Sequence, residues 1–412
     1  MTNRYFAFGS LLLMSFFQGF INVYIGGIES NLHRLYQFIQ PEFTELTAYL
    51  FLGNGLGCII GGTLIDRYGA GTITTIAGLI STLGILLLTN SSTFINFSVS
   101  EFIIGIGVSV WYPAGIKVIK MHFNPHELPF LAGIFLFANN LGSSALSGVV
   151  YLDKAYGLNN TNKVLFSICI VMTLYLVFTA RMNNPSRNIS TYSKSLLNSY
   201  FDQVRLMNNG LVLPVIVSQT IPTLFSYVFL PLWALPYLSM IVSRDSAMVI
   251  ITSCLIIYGA AGIVLGKIYY RFLSPLAWMT FQFSGSAIAL AFLIFTPIYF
   301  LNIWIVTVSL LVVSILLGAN NTYLATYLAD LFQHQYTGTI SAVYGYIFQF
   351  LISAVTPIFG LTLVSSSGHG HYTVADYNGA LKYLLLSFVF SGLLTLILQW
   401  VSKYYPKKII IS

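Results

Sequence analysis

Long apolar stretches of about 20 residues recur along the whole chain and are separated by short polar breaks. A helix of that length crosses about 30 Å of hydrocarbon. The stretches are longer than a barrel strand and do not alternate in polarity, so helices are favoured over strands. The pattern predicts twelve membrane-spanning helices. We place them near 5–27, 46–65, 70–90, 98–120, 129–151, 164–181, 211–240, 246–266, 275–295, 303–329, 338–364 and 379–400.

Composition supports a membrane protein. Of the 412 residues, 57% are hydrophobic and only 7% are Asp, Glu, Lys or Arg, whereas a soluble protein carries charge on roughly a quarter of its residues.

The first apolar run is too long for the core of a signal peptide, and no obvious A-x-A cleavage site follows it, so we expect it to be retained. The excess of basic residues is scattered and gives no indication of nucleic-acid binding. Cys58, Cys169 and Cys254 lie far apart in apolar runs, which predicts packing roles and no metal site.

Charge also predicts the orientation. If the N-terminus is cytoplasmic, thirteen of the 18 Lys and Arg residues fall on the cytoplasmic side and five on the outer side. Cytoplasmic loops are the ones enriched in Lys and Arg. We therefore predict an integral multi-pass protein with both termini in the cytoplasm, and a bacterial inner (plasma) membrane is the default location.

The longest polar break, residues 182–210, divides the spans six and six. We therefore predict an N-terminal half (1–181), a cytoplasmic linker (182–210) and a C-terminal half (211–412). Part of the linker, 191–207, is compatible with an interfacial amphipathic helix or with a plain connection, and both remain open.

The two halves also share a short repeat. Gly62 and Arg67 at the end of the second span correspond to Gly262 and Lys267 at the end of the eighth, with Asp66 replaced by Gly266. Duplicated halves are typical of secondary transporters, whose site lies between the halves near the middle of the membrane.

Three motifs carry a family resemblance. Residues 62–69, GTLIDRYG, resemble the G-x-x-x-D-R/K-x-G loop between the second and third spans of the major facilitator superfamily, although Ala70 and Gly71 replace its trailing basic pair. Residues 105–113, GIGVSVWYP, resemble the G-x-G pattern of its fourth span, with Glu101 at the position of the family's Arg. Residues 122–127, HFNPHE, resemble the loop that leads into its fifth span. The chain is thus similar to the superfamily along its whole length.

This resemblance implies an all-α membrane fold of twelve helices in two pseudo-symmetric halves. It also implies a central cavity lined mainly by the first, fourth, seventh and tenth spans. Buried polar groups either line such a cavity or hydrogen-bond helices to each other. The candidate substrate-binding residues are Gln18, Asn22, Tyr24, Trp111, Tyr112, Asn139, Gln219, Thr223, Tyr227, Asn320, Asn321, Tyr323 and Tyr344, with Asn54, Asn140 and Gln349 beside them. None is Lys or Arg, which favours a neutral, zwitterionic or aromatic substrate.

Glu101 is the candidate proton-coupling residue, because burial in lipid disfavours the charged form of a carboxylate. Two alternatives are a helix cap at the outer interface and a structural hydrogen bond inside the membrane.

The loop between the second and third spans is the candidate conformational latch, formed by Gly62, Asp66, Arg67 and Gly69. By resemblance, Asp66 pairs with the start of the eleventh helix, since a helix N-terminus attracts a carboxylate. Arg67 would meet Asp330 or Glu127 on the same side.

The seventh span contains Pro214, Pro222, Pro231 and Pro236. Proline removes a helical hydrogen bond. The sequence therefore predicts either a broken helix that serves as a gate or a helix with loose ends and a single kink.

These features predict a secondary transporter that works by alternating access. The expected partners are a small-molecule substrate of amino acid or nucleoside type, a proton or another coupling ion, and the lipid bilayer. Proton-driven uptake is the leading hypothesis, and export of a drug, siderophore or metabolite is the alternative.

The glycine- and proline-rich pattern of drug antiporters is incomplete at 138–148, which lacks proline, and no phosphate-binding loop occurs. We expect no enzyme activity, no catalytic residues and no cofactor, and a monomer; a non-transporting receptor is a further alternative.

Overall fold

The computed structural model describes residues 2–124, 127–180, 212–272, 274–297, 302–318, 320, 337–363 and 372–402, which are helical and contain no strand. The first three spans are Thr2–Tyr36, Gln40–Tyr68 and Ala70–Thr89, and the fourth consists of Phe94–Val108 and Trp111–His122. The fifth and sixth spans lie in Leu128–Ser144 and Leu146–Thr179. The second half contains Val212–Thr220 and Ala234–Ser239 in the seventh span, then Arg244–Phe272, Pro275–Phe295, Ile303–Gly318, Thr337–Leu361 and Val374–Val401 as the eighth to twelfth.

The predicted number of spans is confirmed. In the part of the chain that the structure describes, ten helices are long and apolar enough to cross a membrane. One of them, Phe130–Thr179, is 50 residues long and contains both the fifth and the sixth span. The shorter apolar helix Ile303–Gly318 is the tenth span.

Two predicted breaks are helical. The first span continues past residue 27 to Tyr36. The segment predicted as a loop between the fifth and sixth spans is also helical, and its helical geometry is interrupted only at Gly157, where φ is 76°. One polar residue of each segment, Asn31 and Asp153, is buried against the other, and the Asn31 amide donates to the Asp153 main-chain oxygen at 3.1 Å. Other polar residues of the two segments, such as Arg34, Lys154 and Asn160, are exposed on helices rather than on loops.

The seventh span is irregular along its middle. An α-helix ends at Thr220, a 3₁₀ turn covers Ile221–Thr223, and a π-helix covers Phe225–Trp233 before α-geometry returns. Pro222 and Pro231 lie in the two irregular segments, which they deprive of regular backbone hydrogen bonds. Of the two predictions for this span, the structure supports the broken helix.

In the described residues the two halves meet mainly along three pairs of spans: second with eleventh, fifth with eighth, and first with seventh. The Ser353 hydroxyl donates to the Ala48 main-chain oxygen at 2.9 Å and joins the second and eleventh spans. Large apolar side chains such as Trp304, Ile288 and Leu361 lie exposed on the outside, where lipid would cover them. The polar groups are therefore concentrated inside and between the halves.

Matched hydrogen bonds relate the two halves to each other. Thr82 of the third span hydrogen-bonds Thr173 of the sixth at 2.9 Å, and Thr280 of the ninth donates to Thr395 of the twelfth at 3.0 Å. The third and sixth spans correspond to the ninth and twelfth in a duplicated bundle, so the same kind of contact recurs at equivalent places.

The predicted linker 182–210, with its segment 191–207, lies outside the described residues. The boundaries of the halves at 181 and 211 therefore remain predictions.

Candidate functional site

A cavity lies between the two halves. The first, second, fourth and fifth spans line one side, and the seventh and eleventh line the other. Among the described residues that line it, none is Asp, Glu, Lys or Arg. They are Gln18, Asn22, Asn54, Cys58, Ser109, Tyr112, Pro113, Leu136, Asn139, Tyr227, Tyr344, Gly345, Phe348 and Gln349.

Three amide side chains of this lining have hydrogen-bonding atoms without a partner among the described residues. These atoms are Asn22 Oδ1, Asn54 Nδ2 and Gln349 Oε1, and each is buried. Buried polar atoms in a protein interior are nearly always hydrogen-bonded, because leaving one unpaired costs about 1–3 kcal/mol. Two acceptors and one donor therefore surround a space that a polar solute can fill.

Aromatic rings form the opposite face of the cavity. Tyr227, in the π-helix of the seventh span, makes edge contacts with Phe51 at 5.6 Å and with Phe348 at 5.7 Å between ring centroids. Tyr344 lies 5.4 Å from Phe348, one helical turn away. Tyr227 thus contacts the second and eleventh spans at once, so a solute against its ring touches both halves.

Close helix packing positions the cavity amides of the first half. The Asn139 amide donates to the Ser15 main-chain oxygen at 3.2 Å, and the Ser143 hydroxyl donates to the Gly19 main-chain oxygen at 3.1 Å, so the fifth span is held against the first. The Gln18 amide donates to the Val108 main-chain oxygen at 3.4 Å in the fourth span. Backbone carbonyls thus fix the orientation of Gln18 and Asn139.

Six of the thirteen residues predicted to bind substrate line this cavity, and Asn54 and Gln349 join them. The six are Gln18, Asn22, Tyr112, Asn139, Tyr227 and Tyr344. Asn321 and Tyr323 lie outside the described residues.

The other five predicted residues lie elsewhere in the bundle. Tyr24 donates to Asn162 Oδ1 at 2.6 Å, and the Asn320 amide donates to the main-chain oxygen of Gln219 at 3.2 Å. Thr223 donates to the Thr220 main-chain oxygen at 2.5 Å, and Trp111 is buried against Phe17 with 6.0 Å between ring centroids. The contacts of Tyr24, Trp111 and Asn320 hold helices of one half together, as the structural alternative predicts, whereas Thr223 bonds within its own span.

Sequence reasoning assigned Cys58 a packing role, but Cys58 lines the cavity. Its thiol donates to the Ser109 main-chain oxygen at 3.2 Å. The signal was available, because residues four apart on a helix share a face and Asn54 lies four residues before Cys58. The apolar residues around Cys58 in the sequence made a packing role the expected one.

Glu101 does not line this cavity. It is 3% exposed in the interior of the first half. The fourth span begins after Thr93, whose side chain accepts from the Asn96 main-chain nitrogen at 3.3 Å, so Thr93 caps the helix. Glu101 lies about two turns inside the helix, which excludes the capping alternative.

The predicted latch lies at a tight turn. The second span ends at Tyr68 and the third begins at Ala70, so Gly69 alone joins them, with φ at 90°, a conformation that glycine adopts readily. Arg67 is exposed, and its guanidinium lies 5.6 Å from the centre of the Tyr68 ring. Lys117 of the fourth span donates to the Ile65 main-chain oxygen at 3.0 Å. The side chain of Asp66 and residue 330 lie outside the described residues.

Comparison with known proteins establishes the class. The family model described as Major Facilitator Superfamily matches residues 7–357, which is most of the chain. The chain therefore belongs to the Major Facilitator Superfamily, and it is a multi-pass membrane protein of that fold.

Individual relatives are more distant. The chain is 26% identical over 147 residues to solute carrier family 2, facilitated glucose transporter member 10, of Xenopus tropicalis; the match covers 36% of this chain and about a quarter (26%) of that protein. A solved structure of the nucleoside transporter NupG is similar with a TM-score of 0.73 and 9% identity, over 95% of this chain and 99% of that one. The xylose transporter XylE from E. coli, in a partially occluded inward open conformation, gives a TM-score of 0.68 at 15% identity, over 98% of both chains. At these identities the structural matches establish the fold alone.

Proposed function

We propose that this protein is a secondary transporter that carries a small neutral, hydroxyl-bearing solute, a nucleoside or a sugar, through the cavity between its halves. Transport would proceed by alternating access, with the two six-helix halves rocking about the bound solute.

The unpartnered amide atoms of the cavity are the observation that carries this proposal. Asn22 Oδ1 and Gln349 Oε1 accept hydrogen bonds and Asn54 Nδ2 donates one. A hydroxyl group both donates and accepts, so a solute with several hydroxyls can satisfy all three atoms. The ring faces of Tyr227 and Phe348 suit the apolar face of a sugar or the plane of a nucleobase.

An amino acid fits this lining less well. A zwitterion brings a carboxylate and an ammonium group, and a desolvated charge needs an opposite charge or several strong hydrogen bonds. The described residues of the cavity contain no charged side chain to supply them. The amino acid hypothesis of the sequence therefore gives way here to nucleosides and sugars. The names of the relatives, which include a nucleoside, a xylose and a glucose transporter, point in the same direction.

The energy source and direction are further parts of the proposal. We assign proton coupling to Glu101, which is buried in the fourth span near the cavity residues of the same helix. We further propose that the protein carries the solute into a bacterial cell. It would do so as a monomer in the inner membrane, with both termini in the cytoplasm. Export remains the alternative.

Proteoliposomes with an imposed pH gradient test the proposal. Radiolabelled uridine, D-xylose, D-glucose and L-leucine are offered in parallel, with protein-free liposomes as the blank. We expect gradient-dependent accumulation of uridine or of a sugar, and none of leucine. Accumulation of leucine alone would overturn the substrate class, and loss of preloaded solute against its gradient would identify an exporter.

A further inference from the structure

A second buried carboxylate lies in the first half, at the same end of the bundle as Glu101. Asp153 is 1% exposed, and neither of its carboxylate oxygens has a hydrogen-bond partner in the described part of the chain. Two polar side chains that interact with Asp153, Asn31 and Arg34, form hydrogen bonds with other atoms. Asn31 donates to the main-chain oxygen of Asp153 at 3.1 Å, and Arg34 donates to Asn31 Oδ1 at 2.6 Å.

The side chain of Tyr24 is close enough to both carboxylates to interact with them. It interacts electrostatically with both Asp153 and Glu101, which is 3% exposed. Its proton is donated to Asn162 Oδ1 at 2.6 Å, so its oxygen lone pairs remain available to accept a hydrogen bond. A protonated carboxyl group is a donor and suits such an oxygen, whereas an ionised carboxylate is an acceptor and does not.

The energetics favour a bound proton on Asp153. An ionised carboxylate that is buried without hydrogen bonds carries a desolvation penalty of several kcal/mol, and only a well-placed opposite charge offsets it. In the described residues, the charged and titratable groups that interact with Asp153 are Arg34 and Tyr24, both of the first span. The side-chain amide of Asn31 and the charge of Arg34 favour the ionised form, and burial opposes them with the larger effect. Arg34 is exposed and held by Asn31, so its guanidinium makes no salt bridge with Asp153.

We propose that Asp153 is a second proton-binding carboxylate of this transporter and that it holds a proton in the conformation described here. A proton from solution adds to one carboxylate oxygen of Asp153 and forms its O–H bond, and no other bond breaks. This proposal extends the proposed proton coupling through Glu101 and gives the first half two proton-binding groups, both of which interact with Tyr24.

Infrared spectroscopy of the purified protein in lipid nanodiscs tests the proton site without any substrate. The carbonyl stretch of a protonated carboxyl group is separated from that of a carboxylate and shifts in D₂O. We expect this band at neutral pH in the wild type and a loss of part of it in Asp153→Asn. The matched control is Asp245→Asn, because Asp245 is an exposed carboxylate on the outer side.

Arg34→Gln provides a second variant that does not alter Asp153. Removing the positive charge of Arg34, which interacts with Asp153, is expected to keep the band up to higher pH than in the wild type. An unchanged band in Asp153→Asn, together with no shift in Arg34→Gln, would overturn the proposal.

A transport measurement then separates this proposal from the proposed function. In proteoliposomes with uridine on both sides, Asp153→Asn is expected to retain exchange and to lose accumulation driven by a pH gradient. If the wild type accumulates no uridine, sugar or amino acid, the proposed function fails while the infrared band still decides whether Asp153 binds a proton. Wild-type accumulation by a well-folded Asp153→Asn protein contradicts a coupling role.

Discussion

The Tyr24 hydroxyl donates to Asn162 Oδ1 at 2.6 Å and thereby ties the first span to the sixth. The second half repeats this contact, because the Tyr237 hydroxyl of the seventh span donates to Asn378 Oδ1 of the twelfth at 3.0 Å. The two tyrosines occupy equivalent helices of a duplicated bundle but have different surroundings. Tyr24 interacts with two buried carboxylates, whereas Tyr237 lies among the aromatic rings of Phe229 and Tyr377.

The first prediction uses this difference. Tyr237→Phe removes one hydrogen bond between helices in a membrane bundle, a contact worth roughly 0.6 kcal/mol on average. We expect a small fall in the thermal stability of the detergent-solubilised protein and transport close to wild type. Tyr24→Phe is expected to cause a similar fall in stability and, in addition, to change the pH dependence of transport. Equal pH profiles in the two variants would contradict a special role for Tyr24.

The second prediction concerns the three unpartnered amide atoms of the cavity. We expect Asn22→Ala, Asn54→Ala and Gln349→Ala each to raise the KM for the transported solute about tenfold, since losing one hydrogen bond of about 1.4 kcal/mol has that effect. Initial rates of uptake as a function of solute concentration provide the measurement. Asn160→Ala is the control, because Asn160 is exposed and bonds only to the Tyr156 main-chain oxygen of its own helix among the described residues. A KM that changes equally in all four variants would exclude a binding role for the three amides.

The sequence was sufficient to predict the twelve spans, the duplicated halves and the family, because the length of an apolar run and the turn around Gly69 are local properties of the chain. It did not predict which polar residues face the cavity. Gln18 and Tyr24 lie on the same apolar span, yet one faces the cavity and the other Asn162. That choice depends on the rotation of each helix against its neighbours, which distant packing contacts set. For the same reason Asp153, which reads as part of a polar loop, is buried against Asn31.

The third prediction uses Cys58 as a native reporter of the cavity. A small thiol reagent is expected to modify Cys58 and inhibit transport, and a saturating concentration of the transported solute is expected to slow the modification. Cys169, which contacts Thr82, and Cys254 are buried and absent from the described lining of the cavity. Cys58→Ser is therefore expected to keep transport and to become insensitive to the reagent. Inhibition that persists in Cys58→Ser would show that the reagent acts elsewhere.

The fourth prediction tests the candidate latch at the turn around Gly69. We expect Asp66→Asn to lower the transport rate without reducing the amount of protein inserted in the membrane, because the role inferred from the family concerns the change between conformations. Transport by a matched amount of protein, measured beside Asp245→Asn, checks this. Arg67→Gln is expected to have the smaller effect, since Arg67 is exposed and its guanidinium lies over the ring of Tyr68. Wild-type transport in Asp66→Asn would remove the latch from consideration.

The last prediction concerns the contact that closes one side of the cavity. A Cβ atom at Gly26 of the first span would lie 2.1 Å from the Pro231 main-chain oxygen, in the π-helix of the seventh span. Gly26→Ala is therefore expected to destabilise this closed side by about 1–3 kcal/mol relative to the opposite conformation. A shift of that size changes the ratio of the two conformations by about 5-fold to 150-fold.

Spin labels on the exposed residues Ser30 and Ser239, at the ends of the first and seventh spans, measure the separation of the two halves at this side. The labels are placed in a protein whose three cysteines are replaced by serine. Gly26→Ala is expected to increase the population of long distances and to slow transport. Gly9→Ala on the same helix is the matched control, because a Cβ there meets no described atom within 4 Å. An identical distance distribution in Gly26→Ala and Gly9→Ala would mean that transport does not require the close approach of the first and seventh spans at Gly26. The contact between Gly26 and Pro231 would then have no part in gating.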